Sequence, residues 1–247
     1  MIPPLVLLPG TLCDATLFEH QVRYLSTWTR PLALEVHHHD TLAEVARSIL
    51  EQVEGTFALA GLSYGGIVAF EIWRQAPYRV AKLALLNTNP HEASPQTRER
   101  QQRLVGMAVL GEFRAITTDY LKDAMLHPAH QTNLALRQHV LRMAESVGKD
   151  GFLNQIKAQL NRPSSLPILS QITCPTLVLA GQEDRVTPLA LHVEMADALP
   201  NSHLVVLEQC GHLSTLEQPE AVNHALRDWL TDEGIWKKER YETESPA

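Results

Sequence analysis

The sequence predicts an α/β protein in which a mostly parallel sheet is covered by helices on both faces and interrupted by an all-helical insertion. Three observations predict it. Short apolar runs alternate with longer stretches of helical periodicity at both ends of the chain, the pattern of repeated strand–helix units. That rhythm changes between about Pro90 and Gln171, where no convincing strand occurs. The chain has 247 residues, more than one typical domain of roughly 150, and 45% hydrophobic residues against 20% charged suffice to bury a core.

Taken in order, Leu5 to Leu8, Pro31 to Val36, Phe57 to Ala60, Lys82 to Leu86, Thr176 to Ala180 and His203 to Leu207 are the expected strands. Thr41 is the expected N-cap of a helix reaching Val53, because its hydroxyl can accept from first-turn amides while Leu42, Val45, Ala46 and Ile49 form one apolar face. Another helix follows Gly65 and ends near Pro77. Pro188 and Pro219 mark helix starts, where a missing amide proton costs nothing, and the last helix ends near Leu230. Within the insertion, helices are expected at Gln96 to Leu110, Glu112 to Leu126, Asn133 to Val147 and Asp150 to Leu160. The organisation is therefore a core of residues 1–89 and 172–236, a helical lid of residues 90–171 and a polar tail of residues 237–247.

Composition narrows the function. With 21 basic against 28 acidic residues the net charge is −7, so attraction to phosphate backbones or anionic membranes is not built in, and nucleic acid is not an expected partner. Cys13, Cys174 and Cys210 are odd in number and show no CxxC spacing, which argues for reduced thiols rather than a disulfide framework or zinc site. Met1 to Gly10 is apolar but lacks a basic leader and a small-residue cleavage site, and no later apolar run could span a bilayer, so a cytoplasmic location without membrane contact is expected.

The sharpest chemical signal is Gly61-Leu62-Ser63-Tyr64-Gly65, directly after an apolar strand and directly before a helix. A nucleophilic serine at a strand-to-helix elbow turns so tightly that small residues are needed two before and two after it. The helix N-terminus there also favours developing negative charge. Ser63 is thus the candidate nucleophile, and a serine needs a base and a group to orient that base. His212 lies in the loop Glu208 to Leu213, past the last strand and before the helix at Pro219, where it can reach back over the sheet edge. His20, His127, His130, His139, His192 and His224 fall within or beside expected helices, where packing or surface roles are expected, and His203 begins a strand. The orienting acid should follow the strand Thr176 to Ala180, which selects Asp184 in Gly181-Gln182-Glu183-Asp184-Arg185-Val186-Thr187-Pro188; Glu183 reads as a turn residue. The loop Asn87-Thr88-Asn89 has no carboxylate to compete. Two backbone amides aimed at the oxyanion are worth about 3 kcal/mol each. Tyr64 supplies one; the loop Leu8 to Asp14 supplies the other, Thr11 first and Leu12 second.

With these residues in place the chain resembles the α/β-hydrolase superfamily, in its small, helical-lidded esterase branch. The resemblance covers nearly the whole chain and rests on the elbow at Ser63, the Gly-x-x-Asp-x-x-x-Pro loop at Asp184, the Gly211-His212 loop and the order Ser, Asp, His. Pro9-Gly10-Thr11 and Phe18 also match carboxylesterases of the pimeloyl-carrier-protein methyl ester type, although many relatives have His-Gly in place of Pro9-Gly10. A serine rather than an aspartate at the elbow sets the chain apart from epoxide hydrolases and haloalkane dehalogenases. The resemblance implies an α/β-hydrolase fold and a serine esterase of a small or medium acyl group, without cofactor or metal. The same triad also serves lactones, thioesters, C–C bonds or acyl transfer, and a non-catalytic ligand-binding protein is the rival from outside enzymes.

Leu12, Tyr64, Phe113, Met125 and Val186 are the expected pocket residues. The run His37-His38-His39-Asp40 reads as a solvated loop, since adjacent ligands rarely converge on one ion. Cys13 and Cys210, near the two site loops, read as small buried hydrophobes. The insertion carries Arg98, Arg100, Arg103, Arg114, Arg137 and Arg142 among Leu104, Met107, Val109 and Ile116. These arginines could hold a distal carboxylate or an acidic acyl-carrier protein, but a helical core with a solvated charged face is the preferred reading.

Overall fold

The structure, a computed structural model, describes residues 2–116 and 125–231. Six strands, β1 (Leu5–Leu8), β2 (Pro31–Ala33), β3 (Phe57–Leu62), β4 (Val80–Leu86), β5 (Thr176–Gly181) and β6 (Ser202–Leu207), form one sheet in the order β2-β1-β3-β4-β5-β6. Every neighbouring pair is parallel. The α/β-hydrolase fold expected above is the fold found.

Side chains alternate across the pleat, so each strand feeds two cores. Val6, Leu8, Leu59, Leu83 and Val178 pack beneath α2 (Leu42–Gln52), α3 (Tyr64–Gln75) and the later helix carrying Met195. Leu5, Leu7, Ala58, Ala60 and Leu177 face the opposite way, against Leu25 of α1 (Glu19–Leu25) and against Leu226 and Trp229. Thr41 caps α2, its Oγ1 accepting from Glu44 N and donating to Glu44 Oε2, an arrangement that satisfies a first-turn amide.

Strand β2 stops at Ala33, three residues short of the expected Val36. In register, Leu7 pairs with Ala33, so only Leu8 remains to support the edge before Pro9, which has no amide to donate, ends β1. Between β4 and β5 the described segments are helical: α4 (Pro95–Val109), a turn at Phe113–Ala115 and α5 (Leu134–Leu160). Gly148, at φ 68° and ψ 177°, breaks α5 at the gap expected between two helices. Most of the helix expected over 112–126 and the tail of residues 237–247 lie outside the described residues. After β5 come α6 (Leu189–Ala198), where Pro188 is the N-cap rather than the first helical residue, and α7 (Pro219–Thr231), which does start on its proline.

The strand order reverses direction between β1 and β3, since β2 is added on one side of β1 and β3 to β6 on the other. Loops leaving the C-terminal ends of β1 and β3 diverge at such a point and open a crevice. Thr11 and Ser63 stand on those two loops.

Candidate active site

Ser63 sits between β3 and α3 with φ 54° and ψ −113°, a conformation few non-glycine residues adopt and one that costs of order 1–3 kcal/mol. Its neighbours explain how the turn is held. A Cβ on Gly61 would lie 2.3 Å from the Gly65 carbonyl, and one on Gly65 would lie 1.9 Å from Leu8 O. The elbow thus closes on its own backbone at Gly61 and is pressed against β1 at Gly65, so closely that only glycine fits at either flank. Ser63 O accepts from Gly66 N, from Ile67 N and, at 2.7 Å, from Thr88 Oγ1, while the Ser63 side chain makes no capping bond to α3.

Asp184 and His212 are buried and joined by an Nδ1–Oδ2 hydrogen bond of 2.8 Å. Asp184 Oδ1 accepts from the Val186 and Thr187 amides (2.8 and 2.9 Å), and Oδ2 also accepts from Thr187 Oγ1 (2.7 Å) and Asn87 Nδ2 (2.9 Å). Burial pushes the Asp184 carboxyl up, but the His212 charge and the bonds from His212 and Thr187 outweigh it and hold the group well below the usual carboxylate range. With Nδ1 engaged by Asp184, Nε2 is the His212 ring nitrogen left facing away from the carboxylate. Nε2 is buried and makes no hydrogen bond, and His212 and Ser63 line one cavity.

The backing of this pair was not legible in the sequence. Asn87, at φ 45°, bridges Asp184 and Gly211 O through Nδ2 and accepts from Ser214 Oγ at 2.7 Å. His192 is fully buried, accepts from Thr88 N at Nε2 (3.1 Å) and lies 3.4 Å from Pro188 O at Nδ1, so it braces the threonine that braces Ser63. Burial pushes the His192 imidazole down to about 4, against the raising effects of Asp184 and Pro188 O. Glu217, its carboxylate fully buried, accepts from His127 N (2.7 Å), His130 Nδ1 (2.9 Å) and Leu213 N (3.2 Å).

The cavity, open on one side, has a volume of about 170 Å³. Thr11, Leu12, Ser63 and His212 line it from the core, with Leu104, Ile116, Met125, Phe152, Ile156 and Val186 as apolar walls. Two expected pocket residues are corrected. The Tyr64 ring is buried in the core beneath the sheet, where the helix turn directs it, and Phe113 packs on Phe152 with ring centroids 5.9 Å apart. The Leu12 amide donates to Gln155 Oε1 at 3.0 Å, so in this structure it is committed elsewhere, which favours the Thr11 amide of the two expected from that loop. Gln155 and Gln159, one helical turn apart on α5, both grip this loop, through Gly10 O and Thr11 Oγ1 respectively.

The cysteines are free thiols, Cys13 and Cys210 buried and Cys174 partly so; burial pushes Cys13 up to about 12. The His37 ring packs at a tilt against His38 and faces Glu35, while Asp40 pairs with Lys157. Among the described residues no cluster of three or more His, Cys, Asp or Glu is arranged to hold a metal ion, and no helix is long and apolar enough to cross a membrane.

Residues 5–225 match the alpha/beta hydrolase family. A pimeloyl-[acyl-carrier protein] methyl ester esterase of Nitrosomonas europaea is 26% identical over 88% of this chain and 92% of its own length. A 2-hydroxy-6-oxononadienedioate/2-hydroxy-6-oxononatrienedioate hydrolase of Dechloromonas aromatica is 27% identical over 70% of this chain, a match that spans only 61% of that protein. A thermophilic esterase from Thermogutta terrifontis, solved with malate bound, superposes with a TM-score of 0.84 at 27% identity, covering 92% of this chain and 89% of that one.

Proposed function

The chain belongs to the alpha/beta hydrolase family, and from that premise we propose that it is a serine hydrolase of small carboxylic esters working through an acyl-enzyme. The observation that carries this reading is the buried Asp184–His212 pair, whose free Nε2 and the strained Ser63 line the same cavity. Ser63 Oγ attacks the ester carbonyl as His212 Nε2 takes its proton. His212 then gives that proton to the leaving alcohol and activates the water that releases the acid, while Asp184 holds the ring and stabilises the imidazolium. The Thr11 and Tyr64 amides are assigned to the oxyanion of both tetrahedral intermediates.

The helices of residues 90–171 are assigned as a lid, since Leu104, Ile116, Phe152 and Ile156 supply apolar cavity walls. A cavity of about 150 Å³ takes a benzene-sized molecule, so about 170 Å³ favours a short acyl group. This mechanism needs neither metal nor cofactor. The test is intact-mass labelling with a fluorophosphonate together with hydrolysis of p-nitrophenyl esters across chain lengths, in wild type and Ser63→Ala. Labelling and turnover that both vanish in the variant are expected; a folded wild type that takes no label would sink the reading and favour a binding protein.

A further inference from the structure

The helical segment contributes a charged surface to the cavity that ester hydrolysis alone does not call for. Thr97, Arg100, Gln101 and Leu104 recur on α4 at the spacing of one helical face and all line the cavity. Arg162, just past the end of α5, lines it too although it is only 6% exposed. Its Nε and Nη1 donate to the His91 and Gln159 carbonyls (2.8 and 3.1 Å), and among the described residues no carboxylate lies in ion-pair contact with it. Burial and the neighbouring Arg98 charge push the Arg162 guanidinium down to about 10 against the raising effect of Glu92, and burial with Arg103 lowers Arg100. Gln101, 8% exposed, has a buried Oε1 without a partner; rotating its amide brings a donor to the same point.

Arg162 is bonded to carbonyl dipoles and has the Glu92 charge only beyond ion-pair contact, so it has given up hydration without fully regaining an opposite charge. An anion entering the cavity would restore that charge, and a guanidinium fork suits the two oxygens of a carboxylate. Resting on the esterase reading above, we propose that Arg162 and Arg100 select small esters carrying a second, ionised carboxylate away from the scissile carbonyl, of which half-esters of short dicarboxylic acids are the simplest. In that reaction water adds, the acyl C–O bond breaks, the alcohol leaves with a proton, and the products are the dicarboxylate and one further proton. The cavity of about 170 Å³ suits a chain of a few methylenes between the two carbonyl carbons.

The experiment compares kcat/KM for monomethyl glutarate with that for its neutral isostere, the methyl ester of the glutaric monoamide, in wild type, Arg162→Gln and Arg100→Gln. A preference of about tenfold or more for the anion is expected in wild type, falling towards unity in both variants. Because Arg162 also holds two carbonyls, Arg100→Gln and the wild-type ratio decide the matter if Arg162→Gln does not fold. Equal Ser63-dependent turnover of the two esters by wild type overturns the inference and leaves the esterase reading standing. Calorimetry on Ser63→Ala with the same two compounds separates the claims: selective binding of the anion without wild-type turnover would keep the carboxylate site and overturn the esterase, and equal or absent binding overturns the site.

Discussion

Replacing His192 with glutamine is expected to make the fold markedly less sensitive to acid. His192 is buried and neutral in the native state, with a pKa pushed down to about 4 from the ordinary 6.5. Between those values the unfolded chain binds a proton that the native protein refuses, so stability is fully present above pH 6.5 and is lost as pH falls towards 4. Integrated from pH 8 to pH 5, this amounts to about 2 kcal/mol, and about 3 kcal/mol once pH drops below 4. Glutamine cannot titrate and offers an oxygen near the place from which Nε2 accepts the Thr88 amide. The assay is urea unfolding of wild type and variant at both pH values. Wild type should lose about 2 kcal/mol more than His192→Gln over that interval, whatever their difference at pH 8. Equal losses would refute the reasoning and place the acid sensitivity elsewhere.

Asn87→Ala should lower kcat at least about tenfold and destabilise the fold by about 1–3 kcal/mol, because it strands Ser214 Oγ and removes a donor to Asp184; steady-state kinetics and urea unfolding measure the two effects separately. Gly65→Ala should cost more than about 4 kcal/mol or abolish soluble expression, since its methyl would overlap the Leu8 carbonyl of a central strand. Glu217→Gln should destabilise by about 1–3 kcal/mol, as a neutral amide cannot accept from two amides and the His130 ring as the carboxylate does; thermal unfolding near neutral pH reads it. Charge reversal at Arg137 and Arg142 should leave rates on free esters unchanged, and equal rates on carrier-bound esters would remove the carrier-protein reading.

The strands and the elbow were readable because their signals are local. An apolar run, a Gly-x-Ser-x-Gly turn and a loop after a strand each declare themselves within about ten residues, and the order of the loops along the chain then places Ser63, Asp184 and His212 at one sheet edge. What escaped depends on side chains far apart in sequence. Asn87 looked irrelevant because its loop lacks a carboxylate, yet an amide is the group that can donate to Asp184 and accept from Ser214 at once. Arg162 and His192 are polar residues in or beside helices, where periodicity separates apolar from polar positions but cannot reveal a polar side chain turned inward. The i, i+4 pair Gln155 and Gln159 was a usable signal, since both project from one helical face towards the Gly10 loop. Tyr64 differs for the opposite reason: adjacency to Ser63 fixes its amide and not its ring.

The bonds around Glu217 also bear on how such enzymes diversify. His212 N and Leu213 N both donate to Met125 O, and Glu217 clamps His127 and His130 to the same loop. The backbone that carries His212 is therefore laced to the end of the segment that walls the cavity, and the two are not independent modules. A chimera that exchanges residues 90–171 for a relative's helices should alter the pH–rate profile along with substrate range, and restoring residues 125–130 of this chain should recover the profile alone. Changes of specificity in this scaffold would then travel with compensating changes around the histidine loop, so its substrate preference and its proton chemistry are inherited as a linked pair.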